Sequence, residues 1–238
     1  MAVTMAEKTC VVVGVGPGIG AACCRLYCER GYKVAMIARS PDYLDELAAT
    51  LPGTSLSLIA DITDEEAVTV TFGKIAKEFG QVDTLIYNAA RGSFGSFLEM
   101  RPKDLSKNFE VNTMGLLYCA RAVAPGMIER EAGSILVTGN TAATRGGAKF
   151  AGFAPSKSAA RSLTQSMARE LGPKHVHAAY LVIDGAVDGP FARNLQKDKP
   201  DEFFIKPDDI AQTIWHLDQQ PENCWTSEID LRPFGENW

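Results

Sequence analysis

Three histidines are all this chain holds, and its six cysteines include no Cys-x-x-Cys pair. A zinc or dithiol centre needs such partners, so no metal site is expected. Cys10, Cys23, Cys24, Cys28, Cys119 and Cys224 read instead as buried or half-buried free thiols, which behave as small hydrophobes. No apolar run approaches the roughly 18 residues of a membrane span. Positive charge is also short: 24 Lys and Arg stand against 29 Asp and Glu, a net charge of −5. That balance argues against nucleic acid or an anionic membrane as the main partner. Met1 to Thr9 is too short and too polar to be read as a secretion signal. The expected compartment is a reducing cytoplasm. Linkers, internal repeats and low-complexity tracts are missing too.

What is present is a regular alternation. Apolar runs at Cys10–Val13, Lys33–Ala38, Ser55–Ala60, Thr84–Asn88, Ser134–Thr138, Val176–Ile183 and Glu228–Leu231 predict strands. Several are continuous rather than alternating, which suits parallel strands buried on both faces. Between them, helices are predicted near Gly18–Arg30, Pro41–Thr50, Asp64–Phe79, Pro102–Arg130, Gly152–Leu171 and Pro207–Asp218. Thr63 or Asp64 caps the third, with Glu66 available for a capping box. Pro207 opens the last. The pattern predicts one α/β domain over residues 1–238, a Rossmann-type doubly wound parallel sheet of about seven strands flanked by helices. Only Asp184 to Lys206 breaks the rhythm. This Gly-, Pro-, Lys- and Asp-rich stretch after a strand is a candidate substrate lid, or an ordinary surface loop.

Gly14-Val15-Gly16-Pro17-Gly18-Ile19-Gly20 follows the first strand and opens the first helix. Glycines permit a tight turn and close approach of a ligand to the backbone, and the helix N-terminus favours a pyrophosphate. The second strand ends Ala38-Arg39-Ser40, with no acid before Asp42. An acid there would hold the ribose 2′-OH of NAD. An arginine instead pairs with a 2′-phosphate, and Ser40 can add a hydrogen bond. NADP(H) is therefore the expected cofactor.

The spacing of Gly14, Gly18 and Gly20 resembles the short-chain dehydrogenase/reductase family. Further segments carry the resemblance along nearly the whole chain: Ala60-Asp61-Ile62, Asn88-Ala89-Ala90, Val111-Asn112, Gly133 to Val137 and Ser156-Lys157-Ser158-Ala159-Ala160. The resemblance implies that Asp61 and Ile62 meet adenine, that Asn88 and Ala89 turn beside the cofactor, and that Lys157 holds the nicotinamide ribose. Gly185 and Val187 complete the implied cofactor set, and Asn112 the implied catalytic set. It also implies a homodimer or homotetramer, built through the long helices.

The chain departs from that family at its centre. A catalytic tyrosine is implied four positions before Lys157, where Phe153 stands, and a serine thirteen residues earlier, where Asn140 stands. The Pro-Gly turn after the sixth strand becomes Asp184-Gly185, and a frequent threonine becomes Gly189. Asn140 can still donate to an oxyanion. A phenyl ring offers no proton, and proton transfer is typically worth ~10²–10⁴ in rate. Thr138 and Thr141 are poor acids, Tyr87 is expected to pack in the sheet, and His175 and His177 are expected at the face opposite the cofactor. Two functions remain open. One is an NADPH-dependent oxidoreductase with an atypical active site, acting on an iminium ion or an activated C=C bond. The other is a weakly active or inactive NADP(H)-binding sensor or interaction protein.

Overall fold

The computed structural model describes residues 7–235; Met1–Ala6, the greater part of the polar stretch Met1–Thr9 in which no secretion signal is expected, and the last three residues lie outside them. Seven parallel strands form one sheet: β1 (Thr9–Val13), β2 (Lys33–Ala38), β3 (Ser55–Ile59), β4 (Thr84–Tyr87), β5 (Gly133–Asn140), β6 (Val176–Ile183) and, near the C-terminus, Glu228–Leu231. The order is β3-β2-β1-β4-β5-β6 followed by the C-terminal strand. Strand order reverses between β1 and β4, so a crevice opens beyond their carboxyl ends, where such sheets bind ligands.

The helices fit the reading closely. They are α1 (Ile19–Glu29), α2 (Pro41–Ala48), α3 (Glu65–Phe79), α4 (Pro102–Phe109), α5 (Gly115–Glu129) and α6 (Ala154–Leu171). Apolar residues of β1 alternate between the two faces of the sheet. Val11 and Val13 join the core under α3 and α5, and Cys10 and Val12 the core under α1. The cap of α3 is Asp64, whose carboxylate accepts from the backbone N–H groups of Glu66 and Ala67.

Three expectations need correction. The single helix read over Pro102–Arg130 is interrupted by a π-helical segment, Glu110–Met114, between α4 and α5. Hydrophobic periodicity does not register one wide turn within a helical run, and such turns gather at functional sites. The stretch Asp184–Lys206 is also less irregular than its composition suggests. It holds β7 (Ala186–Val187), α7 (Pro190–Leu195) and β8 (Phe204–Ile205), with β7 and β8 paired in parallel. Bidentate contacts from Arg193 to Asp188, and a further one to Asp201, tie it together. The chain then continues through α8 (Pro207–Asp218) to β9 (Glu228–Leu231). Five cysteines are buried as expected, but Cys224 is exposed. His175 and His177 lie at the amino end of β6, the end opposite the crevice, as expected: His175 pairs with Glu222, and His177 bonds Thr226 O through Nε2 and stacks on Trp225. Among the described residues no group could hold a metal ion, and no helix is long and apolar enough to cross a membrane.

Candidate active site

A cavity of about 800 Å³ lies beyond the carboxyl ends of β1, β2 and β4. Its walls include Gly14, Gly16, Arg39, Ser40, Asp61, Ile62, Asn88 and Ala89, all expected from the sequence. The glycine loop is shaped by two different demands. Gly14 has φ +86°, and a Cβ there would fall 2.5 Å from the Ala89 backbone. A Cβ on Gly20 would fall 2.9 Å from Gly14 O and from the Val15 backbone. These two glycines serve packing. A Cβ on Gly16 or Gly18 would meet nothing within 4 Å. Their bareness does nothing for the protein's own packing and keeps clear the approach to α1. Gly18 caps that helix without a side-chain hydrogen bond, and its first turn, from Ile19 on, has no acidic residue. The N–H groups and the positive end of the helix dipole are thus free for an anion. A dinucleotide fits this donor set.

Arg39 and Ser40 are exposed at the cavity rim. Asp61 accepts from the Thr63 N–H at 3.0 Å and its hydroxyl at 2.8 Å. Those bonds, aided by the charge of Arg39, hold the carboxyl below its usual range. Ile62 is buried against the start of α5. Asn88 has a bracing role: its Nδ2 donates to Gly14 O at 2.9 Å, and its Oδ1 accepts from the Thr138 hydroxyl at 3.0 Å. It thereby links the glycine loop to β5.

Asn112 lies in the π segment and is buried. Its Oδ1 accepts from Arg91 N at 2.9 Å, while its Nδ2 donates to Arg91 O and to Ser156 Oγ, both at 2.8 Å. The Ser156 hydroxyl in turn donates to Phe153 O at 2.9 Å. The asparagine therefore locks the turn after β4 to the first turn of α6. Its observed contacts are those of a positioning residue. The widened π turn sets that side chain between the two segments, and the Tyr87 hydroxyl caps it by donating to Val111 O. Tyr87 is buried in the sheet, as expected, and burial holds its phenol far above its ordinary range.

Lys157 is buried on α6, with Nζ 3.2 Å from Thr138 O. Burial pulls its pKa down to about 8. Phe153 precedes α6 and is 7% exposed. Its ring meets Phe94 edge to face, with centroids 5.4 Å apart, and Phe94 meets Phe150 in the same way. Asn140 ends β5, and its Oδ1 accepts from Ala142 N at 3.2 Å. The side-chain oxygen is thus committed to a local turn, leaving Nδ2 as the group able to donate.

The structure does not bring every expected residue to the cavity wall. Gly18, Ile19, Gly20, Asn112, Asn140, Phe153 and Lys157 are not part of its wall: Asn140 ends β5, Phe153 caps α6 and Lys157 lies in its first turn. Gly185 packs under Pro233 and Ile205, and Val187 pairs with Ile205, so the contacts of both are internal. Sequence reasoning missed Arg91 and Gly92, which do line the cavity, and Ser156. A charged residue directly after Asn88-Ala89-Ala90 was the available signal for Arg91.

A family model described as short chain dehydrogenase matches residues 8–200. Carbonyl reductase family member 4 of Xenopus laevis is 26% identical over 220 residues, covering 90% of this chain and 92% of that protein. An alcohol dehydrogenase from the archaeon Thermococcus sibiricus, complexed with 5-hydroxy-NADP, superposes with a TM-score of 0.86 at 28% identity, over 97% of this chain and 98% of that one. At the level of fold alone, an NAD+-bound xylitol dehydrogenase gives a TM-score of 0.87 at 22% identity, over 95% of this chain and 98% of that one. The glycine loop, the crevice beside it and a family match over most of the described residues lead to one conclusion: the chain belongs to the short chain dehydrogenase family.

Proposed function

We propose that this protein is an NADPH-dependent oxidoreductase whose substrate needs no proton from the protein as hydride arrives. The observation that carries the reading is Phe153. It stands one helical turn before the buried amine of Lys157 and presents a ring where the family resemblance implies a phenol. Reduced nicotinamide supplies a hydride. An iminium ion that accepts it becomes a neutral amine with no further proton. An activated C=C bond becomes an enolate, which water can protonate. An ordinary ketone becomes an alkoxide, which needs an acid within reach, and the loss of that acid typically costs ~10²–10⁴ in rate. Arg39 and Ser40 at the rim, standing at the end of β2 where an acid would hold the ribose 2′-OH of NAD, support the choice of NADPH.

The test is NADPH oxidation followed at 340 nm with a cyclic iminium salt, an enone and a matched ketone. Turnover of the iminium or enone at least about 100-fold above the ketone is expected. Faster reduction of the ketone would overturn the reading. The aromatic packing supports a second reading, a binding protein without turnover, because Phe94 covers one edge of the Phe153 ring. Tight NADPH binding with no oxidation across the whole panel would decide for it.

A further inference from the structure

Arg91 enters the cavity wall with its backbone fixed and its charge poorly answered. Both backbone polar groups are held by Asn112. The nearest carboxylate is Asp104, whose Oδ1 lies 3.7 Å from Nη2, beyond hydrogen-bond length. Asp104 is already taken: Arg101 grips it through two hydrogen bonds, at 2.6 and 2.9 Å. Nε of Arg91 is buried with no hydrogen-bond partner among the described residues. Nε and Nη2 form one edge of the guanidinium fork, so the edge best suited to a planar anion lacks a close acceptor. The side chain nevertheless keeps 39% of its surface exposed.

The neighbouring residues describe the rest of a ligand. A Cβ on Gly92 would fall 3.0 Å from the Phe94 ring and 3.5 Å from Phe153, so the aromatic pair lies directly beside the Arg91 backbone. Phe94 is 62% exposed. Weakly answered positive charge thus adjoins an open apolar surface. The cofactor's anionic groups have other receptors, the amino end of α1 and Arg39, whereas the Arg91 guanidinium leans towards α4. The geometry points to Arg91 as a specificity-determining residue that binds a carboxylate on the substrate, with Phe94 and Phe153 taking the adjoining aromatic or apolar body. This rests on the oxidoreductase reading for the location of the substrate. It is tested by binding alone, so the two can fail separately.

Calorimetric titration of the NADP+-saturated protein with trans-cinnamate and with trans-cinnamamide compares an anion with its neutral counterpart. Cinnamate is expected to bind at least about tenfold more tightly, since hydrogen bonds to charged groups are the stronger ones. Arg91→Met should erase that preference with NADP+ affinity unchanged, and Arg91→Lys should restore part of it. Equal binding of the two ligands, or binding of neither at millimolar concentration, would overturn the assignment. So would a loss of NADP+ affinity in Arg91→Met, which would assign the guanidinium to the cofactor. Should Arg91→Met fail to fold, Asp104→Asn asks the same question without altering Arg91. Removing the competing carboxylate should tighten cinnamate binding several-fold, and unchanged or weaker binding would defeat the proposal.

Discussion

Lys157 Nζ lies 3.2 Å from the carbonyl oxygen of Thr138, a hydrogen bond that ties the first turn of α6 to the end of β5. The amine is buried, and burial lowers its pKa to about 8, whereas the unfolded chain titrates it near its ordinary 10.5. Between those values the unfolded state binds more protons, so this group's contribution makes stability rise with pH. Below about pH 8 the full cost of a buried charge is present, at most about 3 kcal/mol. Lys157→Met should therefore be more stabilising, relative to the unaltered protein, at pH 7 than at pH 10. Urea unfolding of both proteins at both pH values measures the difference, and the paired comparison cancels the other titrating groups. A difference that does not vary with pH would show that the amine is solvated.

Gly14 and Gly16 should separate under substitution. Gly14→Ala places a side chain at φ +86° and against the Ala89 backbone. It should cost roughly 2–4 kcal/mol of stability. Gly16→Ala meets no protein atom within 4 Å. Its melting temperature should hardly move, while NADPH affinity falls about tenfold or more as the new methyl group fills the approach to α1. Fluorescence titration with NADPH beside thermal melting gives both quantities. An unchanged NADPH affinity in Gly16→Ala would place the dinucleotide elsewhere.

The order of strands and helices was legible because continuous apolar runs such as Val176–Ile183 can be buried only in the middle of a covered sheet. The glycine loop was legible for a similar reason: few other residues permit that backbone. Asn112 was legible as a position but not as a brace. Its role depends on a π turn, and on Ser156 and Arg91 coming within 2.8 Å from segments far apart in sequence. Arg91 was missed because its significance lies in what does not contact it. A sequence gives no sign that Asp104 is already held by Arg101. The stretch 184–206 was misjudged as irregular because two-residue strands and a six-residue helix leave no periodic signal.

Arg39 should decide between the two nicotinamide dinucleotides. Its exposed guanidinium stands at the cavity rim beside Ser40, on the side of Asp61. Arg39→Ala should weaken NADPH binding by roughly 1.5–3 kcal/mol, the worth of a charge-assisted hydrogen bond, and leave NADH nearly unaffected. Calorimetry with each cofactor checks the split. Equal affinities for NADPH and NADH in the unaltered protein would refute the assignment before any substitution is made.

Phe153 provides the sharpest chemical test of the proposed reading. A tyrosine there adds one oxygen at the far end of a ring that is already packed against Ala142, Ala154 and Phe94. If that end faces the reacting centre, the buried amine of Lys157 one turn away favours an ionisable phenol. The double variant Phe153→Tyr, Asn140→Ser should then reduce ketones with NADPH at least about 100-fold faster than the unaltered protein. Its stability should be little changed, because the new hydroxyl would have a partner or solvent. If instead the ring end is enclosed, the hydroxyl is buried unpaired and costs about 1–3 kcal/mol. Ketone turnover would then stay at background while the melting temperature falls. Rate and melting temperature, measured together on a protein that still binds NADPH, thus report which way the ring end faces. A drop in stability without any gain in rate would remove residue 153 from the active site.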